Sequence, residues 1–353
     1  VLPGQTPDGE PILSVLVKRT FDIVPGGRCT RAAEDRKLIT GDEYYDGPVN
    51  SSVRYESDLV PWKTATDVVL NGAAYASKGK AAQVLKAKLT VNGFRKEVLV
   101  IGDRVCRYRR FGNPAFTDPE PFTTMPLRYE LAYGGIDIHS DTRVRYFYPR
   151  NHLGRGFVVS KTRNAVEDLR LPNIEDPEFL LTPENLCVKE YGRWEGLPFP
   201  QGFGWVSKFW QPRASLGGVM PADKNLEAEM REAYAMVVPS EHREVYLKHT
   251  LPSMDFRFFN GASQGLTVPF LKGGEPVRLV HLSPEGELHF ELPGDRPAIG
   301  LDIGGGIQEP EVVLHTVMLR MEDRQVDLVW RGAVPYPGMD WLPEMNKMDV
   351  KVE

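Results

Sequence analysis

Apolar positions along the chain come in short runs that partly alternate with polar ones. The stretches 12–24 (ILSVLVKRTFDIV), 67–76, 83–91 and 96–108 are rich in β-branched residues and are divided by Gly, Asn or Lys-Gly turns. Side chains point alternately to the two faces of a strand, so this pattern predicts four strands. Asn92-Gly93 separates the third from the fourth, and both residues tolerate positive φ, which marks a tight hairpin. Near the other end, 276–283 and 287–293 flank Pro-Glu-Gly, while 311–321 and 325–335 flank Glu-Asp-Arg. These predict two more hairpins. Nothing alternates strand with helix, which argues against a parallel α/β fold. The stretch 112–265 is dense in Pro, Gly and aromatics and reads as ordered coil held down by its rings. Helical character is confined to 225–237 and 241–251, divided by Pro239. The expected fold is mainly β, with antiparallel sandwich- or barrel-like sheets at both ends of the chain. The regions are 1–112, a loop- and aromatic-rich middle over 113–265 with a small helical insertion near 223–251, and 266–353. They read either as separate regions or as one compact unit.

Composition supports this picture. The 353 residues include 33 Gly and 29 Pro, which favour turns over long helices. A net charge of -5 argues against a nucleic-acid binder, and the basic run 107–110 (RYRR) reads as a solvated strand end. Cys29, Cys106 and Cys187 are far apart and form neither a C-x-x-C pair nor a disulfide framework, which fits a reducing compartment. No basic segment leading into an apolar one opens the chain, and no window approaches a membrane span. The expectation is a cytoplasmic protein without membrane insertion, with a trimmed leader before Val1 left open.

Two stretches imitate catalytic motifs. Residues 261–265 (GASQG) fit G-x-S-x-G, and Ser263 is followed by Asp302 and His315 in the chain order of an α/β-hydrolase triad. A nucleophile elbow must feed a helix, however, and Pro269 with the following glycines prevents one. Residues 300–317 (GLDIGGGIQEPEVVLHTV) look like the acidic, Gly-rich phosphate loop of sugar-kinase and actin-like ATPases. That loop opens an α/β domain, whereas here only two strands and a Pro-rich tail follow, so it reads as a turn between antiparallel strands. The seven histidines show no metal-binding spacing, and no catalytic residue, metal ligand or cofactor site is assigned. Trp62, Trp194, Trp205 and Trp210 leave a carbohydrate-binding module open as an alternative, as Ser263 does a serine hydrolase.

A longer series of motifs is more specific. It runs SSVRYESDLVPWKTATDVVLNGAAYASKGK (51–80), VIGDRVCRY (100–108), PEPFTTMPLRYELAYGG (119–135), NHLGRGF (151–157), LPNIEDP (171–177), PQGFGWVSKFWQPR (200–213), DFRFFNGA (255–262), LKGGEPVRLVHLSPEGELHFELPG (271–294) and VDLVWRGAVP (326–335). In this order the chain, from about 11 to about 336, resembles the effector adaptor or chaperone family encoded in bacterial type VI secretion loci, long known only as a domain of unknown function. The resemblance implies a non-enzymatic cytoplasmic protein that binds a cognate effector and helps load it onto the VgrG spike with its PAAR tip. No catalytic residues carry over. Trp62, Asp67, Asp103, Arg104, Arg128, Glu130, Tyr133, Gly134, Gly135, Asn173, Glu275, Trp330 and Arg331 mark the motifs, as structural or partner-binding positions. Departure from the family pattern over 219–250 makes that stretch a candidate cargo contact.

Overall fold

A computed structural model describes residues 1–109, 114–138, 140, 145–187, 196–218, 254–336 and 348–353. The expected helical insertion near 223–251, the cargo-contact candidate 219–250 and Trp194 lie outside the described residues. The strands that build the two large sheets are β1 (Leu2–Gln5), β2 (Pro11–Asp22), β3 (Thr30–Arg31), β4 (Thr66–Asn71), β5 (Val84–Val91), β6 (Phe94–Ile101), β7 (Ile174–Glu175), β8 (Thr267–Val268), β9 (Pro276–Val280), β10 (Glu287–Glu291), β11 (Val312–Arg320) and β12 (Gln325–Pro335).

The protein is mainly β, as the alternation predicts. Each predicted run forms a strand, and two runs break where the backbone must turn: 67–76 at Gly72 and 96–108 after Ile101. The hairpins at Asn92-Gly93 and before Gly286 carry the expected positive φ, and Arg324 adopts it in the third.

The sheets do not divide by chain end. The seven-stranded sheet runs β1-β2-β12-β11-β4-β8, with β3 also on β2, and the five-stranded sheet runs β7-β6-β5-β9-β10. Each thus joins strands from before residue 112 to strands from after 265. Strand pairing within these two sheets is antiparallel except between β11 and β4, which lie parallel with Thr316 opposite Asp67. The two sheets are open and share one apolar core: Leu13, Val68, Leu314 and Trp330 from the first meet Leu89, Val98, Leu279 and Phe290 from the second. This is sandwich packing. The middle of the chain has a smaller core of its own around Tyr133, Tyr148, Phe157 and Leu171. All three cysteines are free.

Both imitated motifs take other shapes. GASQG is a turn leading into β8, with no helix after it. Ile299–Asp302 and Ile307–Gln308 form an antiparallel pair whose connection carries positive φ at Gly304 and Gly306. Asp302 Oδ1 accepts the Gly304 and Gly306 N–H groups at 2.8 and 3.1 Å, so its carboxylate ties down that turn.

Candidate functional site

Alternation in β2, β4, β11 and β12 sends one set of side chains to the shared core and the other to the outer face of the seven-stranded sheet. That outer set is unusually polar: Ser14, Lys18 and Thr20, then Asp67, then Thr316 and Arg320, then Asp327 and Arg331. Segments 35–63 and 205–213 and the turn 254–262 supply its partners. Lys18 pairs with Asp58 at 2.7 Å, and Ser14 Oγ donates to the Pro61 carbonyl at 2.7 Å. Arg320 Nε donates to Asp327 at 2.9 Å, and Thr20 Oγ1 donates to the same carboxylate at 2.8 Å.

Asp67 is the centre of this layer. It is 0% exposed, and Lys63 Nζ donates to it at 2.6 Å. The Gly261 N–H, Thr267 Oγ1, Asn260 Nδ2 and Ala262 N–H donate to the same carboxylate at 3.0, 3.1, 3.2 and 3.3 Å. A buried carboxylate is tolerated only with such saturation. Lys63 Nζ also donates to Thr316 at 3.0 Å and lies 5.1 Å from the Trp205 ring centroid.

Next to Asp67 the pairing of β11 with β12 slips between Leu314 and Thr316, leaving His315 in a bulge. The bulge keeps Leu314 in the core and frees His315 to face the polar layer. His315 Nε2 accepts from Arg331 Nε at 3.1 Å and from the Lys63 N–H at 3.3 Å, which puts any ring proton on Nδ1. Burial, with Lys63 and Arg331 beside it, holds the imidazole pKa well below its ordinary value, so the ring is neutral. Trp62 covers Arg331, with the guanidinium carbon 4.1 Å from the ring centroid. Trp330, one residue before Arg331, points the other way into the shared core.

The second group of motif residues fastens the middle of the chain to the edge of the five-stranded sheet. Asn173 Nδ2 donates to the Ile101 carbonyl at 3.0 Å and to Asp103 at 2.9 Å, while its Oδ1 accepts from Arg155 at 3.0 Å. Arg104 pairs with Glu175, whose other oxygen accepts the Leu181 N–H at 2.6 Å. Glu130 accepts the Ser52 N–H and hydroxyl at 2.7 and 2.8 Å, and Arg128 lies 4.0 Å over the Tyr45 ring. Tyr133 packs edge-on against Tyr148 at 5.2 Å. Gly134 and Gly135 have φ of +148° and +118°; a Cβ on Gly134 would lie 2.0 Å from the Asn151 carbonyl oxygen. Glu275 accepts the Gly273 N–H at 3.0 Å and so closes the glycine turn before β9.

Ser263, Asp302 and His315 do not form a triad, since none hydrogen-bonds another. Asp302 serves the glycine turn, and His315 serves Arg331 and Lys63. Trp205 and Trp210 are buried, and Trp62 is half-buried over its arginine. Among the described residues, no group of three His, Cys, Asp or Glu is placed to hold a metal ion. Sequence reading missed Lys63, Asn260 and the ion pair of Arg213 with Glu56 at 2.6 Å, and it named His315 only for a triad that does not form. Lys63 and its partner Asp67 lie inside a quoted motif, but the site also depends on His315 and Thr316, 252 and 253 positions from Lys63. Large exposed apolar side chains gather instead on a two-stranded ribbon in the middle of the chain. Ile136 and Phe147 face each other across it, 48% and 52% exposed, and Ile138 beyond them is 58% exposed.

A family model described as an uncharacterized protein conserved in bacteria (DUF2169) matches residues 8–331. Comparison with curated proteins and with solved structures gave no match.

Proposed function

The chain belongs to this bacterial DUF2169 family, and from that premise we propose that it is a non-enzymatic adaptor for a type VI secretion effector. In this reading it holds its cognate effector in the cytoplasm and helps load it onto the VgrG/PAAR spike. The observation that carries the reading is the ordered run of motifs from about 11 to 336, which resembles the effector adaptors over nearly the whole chain. Two features agree with it. The motif side chains are largely spent on internal bonds that fix loops to sheets. The ribbon of Ile136, Ile138 and Phe147 presents contiguous apolar surface of the kind that anchors a protein partner. No helix among the described residues is long and apolar enough to cross a membrane.

The test is co-expression with the effector encoded beside it, measuring soluble effector and co-purification. The reading expects both to depend on the adaptor and to fall when Ile138 and Phe147 are changed to Ser. Unchanged effector solubility with no co-purification would remove it.

A further inference from the structure

Arg331 is 5% exposed, yet no carboxylate lies within ion-pair distance of it among the described residues. Its neighbours on the same sheet face are paired: Lys63 with Asp67, and Arg320 with Asp327. Of its nitrogens, Nε donates to the neutral His315. Among the described residues, the two Nη groups have no protein acceptor. They are also absent from the sealed, partnerless polar atoms, which include nitrogens of Arg36, Arg54 and Arg104, so they keep contact with the surface. Burial pushes the guanidinium pKa down to about 10, and Glu311, exposed on the rim, opposes that shift only from a distance. A buried cation in this state favours an anion supplied from outside.

The flanks indicate which anion. Trp62 covers the guanidinium on one side, and Phe270, 36% exposed, stacks on His315 at 6.5 Å. A strongly hydrated inorganic ion would gain nothing from two half-open aromatic walls. A carboxylate joined to an apolar group would satisfy the Nη donors and cover the rings together.

We propose that Arg331, Trp62, His315 and Phe270 form a binding site for a carboxylate with an apolar substituent, taken either from the C-terminus of a peptide or from a free acid. Arg331 Nη groups receive the carboxylate, His315 holds the guanidinium in place through Nε, and the two rings cover the substituent. The site is independent of the adaptor reading, because a free acid would occupy it without any effector.

The experiment titrates the full chain with three probes, followed by calorimetry: phenylacetate, a pentapeptide ending in Phe with a free carboxylate, and the same peptide as its C-terminal amide. The free-carboxylate peptide should bind saturably, and the amide should bind at least about tenfold more weakly. Binding of phenylacetate as well assigns the site to free acids; binding of the peptide alone assigns it to a chain terminus. Arg331→Gln should cost about tenfold or more in affinity, with its fold checked by near-UV circular dichroism. Two rim variants decide the matter even if Arg331→Gln does not fold. Glu311→Gln should tighten binding by removing a like charge, and Phe270→Ser should weaken it. Equal affinity for acid and amide, no saturable binding by any probe, or unchanged affinity in both rim variants would overturn the proposal.

Discussion

Lys96 offers a test in which sign and size both follow from position. On β6 the residues 96, 98 and 100 face inward, so Lys96 enters a row otherwise filled by Val98 and Val100 and is 7% exposed. Its Nζ donates to the Gln264 carbonyl at 2.7 Å and to Gln201 Oε1 at 3.0 Å, beside a cleft of about 230 Å³ that also holds Asp176. Two neutral acceptors do not replace the lost hydration of an ammonium. Burial therefore lowers its pKa from 10.5 to about 8, against a smaller opposing pull from Asp176. The unfolded chain holds the proton up to the higher value. Between the two values the unfolded state binds more protons, so stability rises with pH across that window, and the cost of the buried charge is fully present below it. Lys96→Met keeps the volume and removes the titration. Wild type minus variant should thus gain about 2.5 kcal/mol of unfolding free energy between pH 7 and 10. Burial pushes the Cys29 and Cys106 thiols up to about 11, which weakens the fold in alkali, but it does so equally in both proteins and cancels. The acceptors left empty by the variant add a cost independent of pH, and this drops out of the slope. Urea unfolding followed by tryptophan fluorescence at several pH values measures the difference. A flat difference, or one that falls with pH, would refute the reasoning.

Three further outcomes are expected. Asp67→Asn keeps the shape but strands the Lys63 ammonium in the polar layer, and should cost about 3–5 kcal/mol by urea unfolding. Gly134→Ala must move the Asn151 carbonyl and should cost about 3 kcal/mol, whereas Gly41→Ala, with open space at its Cβ, should stay within about 0.5 kcal/mol in the same assay. His315 is held neutral, so the fold loses stability as pH drops below the ordinary histidine value of 6.5, where the unfolded chain gains a proton that the folded one refuses. A pH series of thermal melts should show a shallower acid limb for His315→Gln.

Strands were legible because their apolar residues alternate over lengths that a helix would scramble. The run 325–335 shows this well: its alternation held through Asp327 and Arg331, polar residues that turned out to be buried on the sheet's second face. Partnership was not legible in the same way. Nothing local to 67–76 or 311–321 indicates that β4 and β11 lie side by side and parallel, since that register is fixed by packing across more than 240 positions. Reading neighbours in sequence as neighbours in space suits β5 with β6 but not β2 with β12, so the strands at both chain ends were legible and the sheets they share were not. The candidate carboxylate site was half visible. Trp62 and Arg331 sit in quoted motifs, but the bulge that frees His315 leaves no mark in the sequence VVLHTV.

The pairing of β2 with β12 also bears on how the protein comes to be made. Ile12 lies opposite Pro335 and Asp22 opposite Gln325, so the longest pairing in the large sheet joins a strand to one that the ribosome adds only after the whole intervening chain. At ordinary synthesis rates β2 waits on the order of tens of seconds for its partner. During that interval an apolar edge is unpaired and open to other chains. A chain stopped before residue 325 would leave β2 without its native partner on that side.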